Sequence, residues 1–223
     1  MKSSMIIGSV SVALAAAFSP PLASGFTNLD FEDATLVLND PTFGFLDWDL
    51  AAPGWEHSGG SSTEIIYYEN THIGPDQVFL LRDRMSPEFG PYALSGDYSL
   101  SFIGGFDVND QAFPFIDAFI AQTGDVPGDA RSLQMLARGP FDVFLAGTQV
   151  MMMDLGGGLY GGNIPGFAGT RSELRIVNTA GEDGNEFTIV DDIVFSPMSV
   201  PEPSAPILLL LAGLILSGRR RRA

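Results

Sequence analysis

Between Gly25 and Ser199 no stretch of helical length carries an apolar stripe of 3.6-residue period. Short runs of alternating apolar and polar residues recur instead, and Gly, Pro, Asn or Asp ends each of them. The alternation predicts strands over 35–39, 63–68, 77–82, 97–103, 115–123, 131–138, 141–146, 148–153, 172–178 and 186–196. Gly147 sits between two of these runs and predicts a tight hairpin. About ten strands with short connections predict an all-β chain: a single jelly-roll-like β-sandwich over residues 25–199.

The pattern changes at both ends. Lys2 precedes an apolar run, Met5 to Phe18, which is too short to span a bilayer. Pro20 and Pro21 break it, and Leu22-Ala23-Ser24 supplies small residues for cleavage. Residues 1–24 therefore read as a signal peptide removed on export. At the other end Val200-Pro201-Glu202-Pro203 precedes the apolar run Ile207 to Leu216 and the cluster Arg219, Arg220, Arg221 and Arg222. With its small flanks, 206–217, the run reads as a short transmembrane helix that just reaches across a thinned bilayer. The arginines favour the cytoplasmic side, which places the domain on the other side of the membrane.

Composition narrows the function of the middle. The chain has 11 Lys+Arg and 27 Asp+Glu. Without Lys2, the four tail arginines and Glu202, 6 basic and 26 acidic residues remain, a net of 6 − 26 = −20. That field repels nucleic acid and anionic lipid and favours cations, neutral glycans or plain solubility. There is no cysteine, so disulfides and thiolate chemistry are excluded. His57 and His72 belong to no metal-protease or nucleophile-elbow pattern. The stretch Gly156 to Gly162 lacks the Lys-Ser/Thr of a phosphate loop and reads as a flexible loop.

Two resemblances add to this. The order Val200-Pro201-Glu202-Pro203, apolar helix, arginine cluster resembles the PEP-CTERM sorting signal of Gram-negative bacteria, over residues 200–223. That resemblance implies signal peptidase and an exosortase as processing partners, and transient anchoring in the inner membrane. It also implies delivery to the cell surface or matrix in association with exopolysaccharide. Within the domain, Asn28-Leu29-Asp30-Phe31-Glu32, Pro53-Gly54-Trp55, Leu94 to Leu100 and Asp191-Asp192-Ile193 resemble, in order, segments of galactose-binding-like jelly rolls found among carbohydrate-binding modules.

The candidate chemistry is sparse. In the run 187–195 Asp191 shares the phase of Phe187, Ile189, Ile193 and Phe195, so one acid of the Asp191-Asp192 pair points toward the core. A buried carboxylate needs a cation or strong hydrogen bonds. The jelly-roll resemblance implies a structural calcium joining Glu32 to Asp191 or Asp192. The alternatives are a bulge that turns both acids to solvent, or pairing with an arginine such as Arg175. Trp48, between Asp47 and Asp49, and Trp55 are candidates for stacking on a sugar ring; the alternative is core packing. Three functions follow from these readings: a non-catalytic surface protein associated with exopolysaccharide, a lectin-like carbohydrate-binding module, or a polysaccharide hydrolase or lyase. Missing catalytic groups count against the last.

Overall fold

A computed structural model describes residues 25–40, 45–58, 65–68, 77–82, 85–86, 90–91, 93–103, 105–106, 115–116, 118–179 and 187–201. Both terminal signals therefore lie outside the described residues, apart from Val200 and Pro201, as does His72. Among the described residues the chain is nearly all β, with one short helix, Trp48–Ala51, capped by the Asp47 side chain accepting from the Asp49 N–H at 3.0 Å. No helix among them is long and apolar enough to cross a membrane.

Two main sheets carry the fold. The larger has nine strands in the order Leu38–Asp40, Phe45–Asp47, Ile65–Tyr68, Gln77–Arg82, Tyr98–Ile103, Thr188–Ser196, Ser132–Arg138, Leu159–Asn163 and Met153–Gly156. The smaller has five: Thr148–Val150, Phe141–Leu145, Arg171–Asn178, Phe119–Asp125 and Glu56–Ser58. Pairing in them is antiparallel except between Ile65–Tyr68 and Gln77–Arg82. The inner faces share one core, in which Leu100, Leu133, Met135, Val190 and Phe195 of the larger sheet meet Ile120, Val143, Leu145, Leu174 and Ile176 of the smaller. That is a β-sandwich in which each strand buries alternate residues. Arg171–Asn178 shows this most plainly, with Ser172, Leu174, Ile176 and Asn178 inward.

The hairpin at Gly147 forms as the sequence predicts. Ala146 and Gly147 adopt φ of 48° and 74°, the left-handed pair a two-residue turn needs. The glycine-rich stretch differs from expectation, because it is a hairpin rather than a flexible loop. Gly157 and Gly158 take the turn at φ of 68° and 84°, and Gly161 and Gly162 lie within the returning strand. Glycine is tolerated in that strand because neighbours occupy the space of its missing side chains. A Cβ on Gly162 would come within 2.6 Å of Val150.

The last strand changes phase midway. Thr188 and Val190 face inward, and then Asp191, Ile193 and Phe195 do. The register against Ser132–Arg138 slips between Gln134↔Val194 and Leu136↔Asp191, with Asp192 at φ of 45°. This is a β-bulge, and it corrects the uniform phase expected over 187–195. Phe187 and Ile189 face away from the main core and pack with Phe79, Leu81 and Ile103 in a second cluster.

Replacing Leu174, which is fully buried, with Ala should cost roughly 2–5 kcal/mol in a denaturant melt. Met151→Ala, at a position 75% exposed, should stay within about 0.5 kcal/mol.

Candidate functional site

Two places concentrate chemistry: a node of acids at the bulge of the last strand, and a cleft at the edge of the sandwich.

At the node the bulge turns Asp191 inward, so that it is 1% exposed, and leaves Asp192 half-buried. Asp191 Oδ2 accepts from the Ser95 N–H at 3.0 Å and the Ser99 hydroxyl at 2.5 Å, and Oδ1 accepts from the Asp192 N–H at 2.7 Å. Glu32 grips the same turn, its Oε1 accepting from the N–H groups of Asp97 at 2.8 Å and Tyr98 at 3.0 Å. Gly96, at φ of 53°, lets Glu32 approach, since a Cβ there would lie 2.1 Å from Oε1. The opening loop then ties back to the bulge through Ile193 N–H to Leu29 O at 3.0 Å. Asn28 and Phe31 in that loop hold φ of 49° and 58°, a strained arrangement kept by these contacts. The Asn28 Nδ2 is buried with no hydrogen-bond partner among the described residues.

Burial pushes Asp191 up from 3.8 to about 7, and the Ser99 hydrogen bond opposes only part of that rise. Arg175 is not its partner. That guanidinium stacks 3.9 Å above the Phe119 ring centroid and pairs with Glu173 at 2.9 Å.

Trp48 and Trp55 belong to the core, at 6% and 3% exposed. The Trp48 indole donates to Trp55 O at 2.5 Å, and the Trp55 indole donates to Asn28 O at 2.9 Å. Trp48 also packs on His57, and Trp55 on Phe31, at centroid distances of 4.2 and 5.4 Å. Neither ring offers an open face to a sugar. Packing, the alternative weighed from the sequence, accounts for both.

An open aromatic surface lies elsewhere. A cleft of about 310 Å³ opens where the Phe141–Leu145 and Thr148–Val150 hairpin meets Tyr160 of the opposite sheet. Phe141 and Tyr160 meet edge to face, with centroids 5.0 Å apart at 88°. At the rim Gln149 Nε2 donates to Asp142 Oδ1 at 2.9 Å. Asp142 Oδ2, Gln149 Oε1 and the Tyr160 hydroxyl have no protein partner among the described residues. Met151 and Met152 complete the apolar lining. The Gly139-Pro140 turn beneath is pinned from inside, where the Thr188 hydroxyl donates to Pro140 O and accepts from Asn178 Nδ2 at 2.8 Å. Sequence reasoning missed this cleft. Its residues come from separate strands, and the register that joins them is not visible in local pattern.

No family model matches the chain, and no curated protein matches it. Several solved structures are similar to it in outline, two of them as follows. One is the carbohydrate-binding module TmCBM61 in complex with beta-1,4-galactotriose, at 14% identity and TM-score 0.37, covering 78% of this chain and 97% of that one. The other is CBM27-1 of Caldicellulosiruptor saccharolyticus in complex with mannohexaose, at 11% identity and TM-score 0.31, covering 70% and 97%.

Among the described residues no group of three or more His, Cys, Asp and Glu side chains is placed to hold a metal ion. The node offers two carboxylates on one turn, with Asp191 in need of a counter-charge. A calcium ion there fits only if main-chain oxygens complete its shell.

Asp191 makes the fold pH-dependent, with a sign set by its raised value. Its contribution to stability is fully present below about pH 4, where it is protonated folded and unfolded, and is lost as pH rises through about 7. The melting temperature of the wild type, measured in chelator, should therefore fall relative to that of Asp191→Asn between pH 4 and 7. Parallel curves would contradict the assignment.

Proposed function

We propose that this chain is an exported, non-catalytic carbohydrate-binding module that takes a neutral glycan in the edge cleft. The observation that carries the reading is the cleft itself: an open aromatic pair beside free acceptors on Asp142, Gln149 and Tyr160. Sugar rings bind through an apolar face on an aromatic and through hydroxyls on fixed polar groups, and both are present. The described lining holds no Lys, Arg or His, and Asp142 is its one acid. With the net charge of −20 over residues 25–199, a uronate polymer is repelled. Glycoside hydrolysis needs two carboxylates flanking the bond, which favours binding over turnover.

Calcium is the second part of the reading. Glu32 with Asp191 or Asp192 would hold it, main-chain oxygens completing its shell, and it would supply a positive charge beside the buried Asp191 carboxylate. Processing is the third. Signal peptidase removes residues 1–24, and an exosortase acts at Pro201-Glu202-Pro203 before release to the surface. The order of segments in the sequence is what supports this part.

Titration calorimetry against neutral and uronic-acid oligosaccharides tests the first part. Saturable binding to a neutral glycan is expected, weakened on the order of tenfold by Tyr160→Ala or Asp142→Ala and left unchanged by Asp154→Ala. Binding that ignores both cleft changes would place the site elsewhere. For calcium, the melting temperature should rise by several degrees over that in chelator, and Asp191→Asn should abolish the rise.

A further inference from the structure

The chain does not leave the fold where its last strand ends. Ser196, Ser132 and Asn163 stand side by side on three neighbouring strands. Beyond Ser196 the chain turns, with Met198 N–H donating to the Ser196 hydroxyl at 3.1 Å, and runs back across this row. The Ser132 hydroxyl donates to Met198 O at 2.7 Å. One strand further on, Asn163 brackets Val200: its Oδ1 accepts the Val200 N–H at 2.7 Å and its Nδ2 donates to Val200 O at 3.0 Å. The side-chain amide thus replaces the strand partner that Val200 lacks. Val200 is 3% exposed and sits over Gly161, where a Cβ would come within 2.9 Å of its Cγ2. The next residue, Pro201, is exposed and has no N–H to donate.

We infer that residues 197–200 form a strap, locked by Asn163 over Gly161, that confines proteolytic removal of the tail to bonds beyond Pro201. Proteases take their substrates as extended backbone and pair with its N–H and C=O groups. Both groups of Val200 are already held, so an enzyme can engage this residue only after the strap peels. Peeling breaks the Ser132 bond and both Asn163 bonds and returns the Val200 side chain to water. Cleavage beyond the strap adds one water across a peptide bond, leaving a carboxylate on the body and an amine on the tail. The last locked residue, Val200, is also the first residue of the motif 200–203. The lock is a property of the fold and stands apart from both the glycan reading and the identity of the processing enzyme.

Limited digestion of the purified full chain by a broad-specificity protease, followed over time by intact mass, tests this. The wild type should stop at a product ending at 201 or beyond. Asn163→Ala should lose the boundary and be trimmed into 197–200 on the order of tenfold faster or more, the weight of its two lost hydrogen bonds. Val200→Asp changes no strand residue and should do the same, which decides the matter if Asn163→Ala does not fold. A wild type trimmed past Val200 as fast as Val200→Asp would overturn the lock. So would an unchanged end point in the folded variants.

Discussion

A carboxylate buried inside the last long strand is the constraint around which the described fold is arranged. Asp191 can sit there because the bulge at Asp192 rotates it inward and because three donors wait for it, from Ser95, Ser99 and Asp192. Two of those donors lie on the turn that Glu32 holds from the opening loop. One turn therefore fastens the start of the domain to its last strand. The same bulge shifts the strand's phase. Val190 and then Ile193 and Phe195 reach the main core, while Phe187 and Ile189 serve a second cluster. Removing the donors would leave a desolvated charge, which costs more than any one of these hydrogen bonds contributes.

Much of this was legible in the sequence. Alternation located four of the five strands of the smaller sheet, all but Glu56–Ser58, and the long strands at the centre of the larger one, because half-buried strands must alternate. The inward acid of the Asp191-Asp192 pair was legible too. The four segments that resemble galactose-binding-like modules do meet: Glu32 and Asp191 hold the Ser95–Ser99 turn, and Trp55 caps Asn28. What stayed hidden depends on long-range placement. Glycine at 161 and 162 signals a break locally, yet it is in the strand because Val200 and Val150 need its space. Trp48 and Trp55 sit beside acids and glycines in sequence but face inward, which local context does not encode.

The arrangement separates duties. The node and the two tryptophans hold the sandwich closed at one place. The cleft lies at another, on a hairpin edge whose floor is tied to the core through Thr188 and Asn178. A cleft built this way can vary its rim residues without disturbing the closure. The C-terminal strap uses a third region, the ends of the Ser132–Arg138 and Leu159–Asn163 strands. An acidic surface and a cleft without cationic residues belong together physically, since both exclude polyanions.

Amide hydrogen exchange at Ser95, Asp97, Tyr98 and Asp192 measures the central claim most directly. If Glu32 and Asp191 fasten the turn to the last strand, these four amides exchange only with the slowest, global opening, and Glu32→Gln speeds Asp97 and Tyr98 selectively. Exchange at the rate of an open surface loop in the wild type would contradict the account.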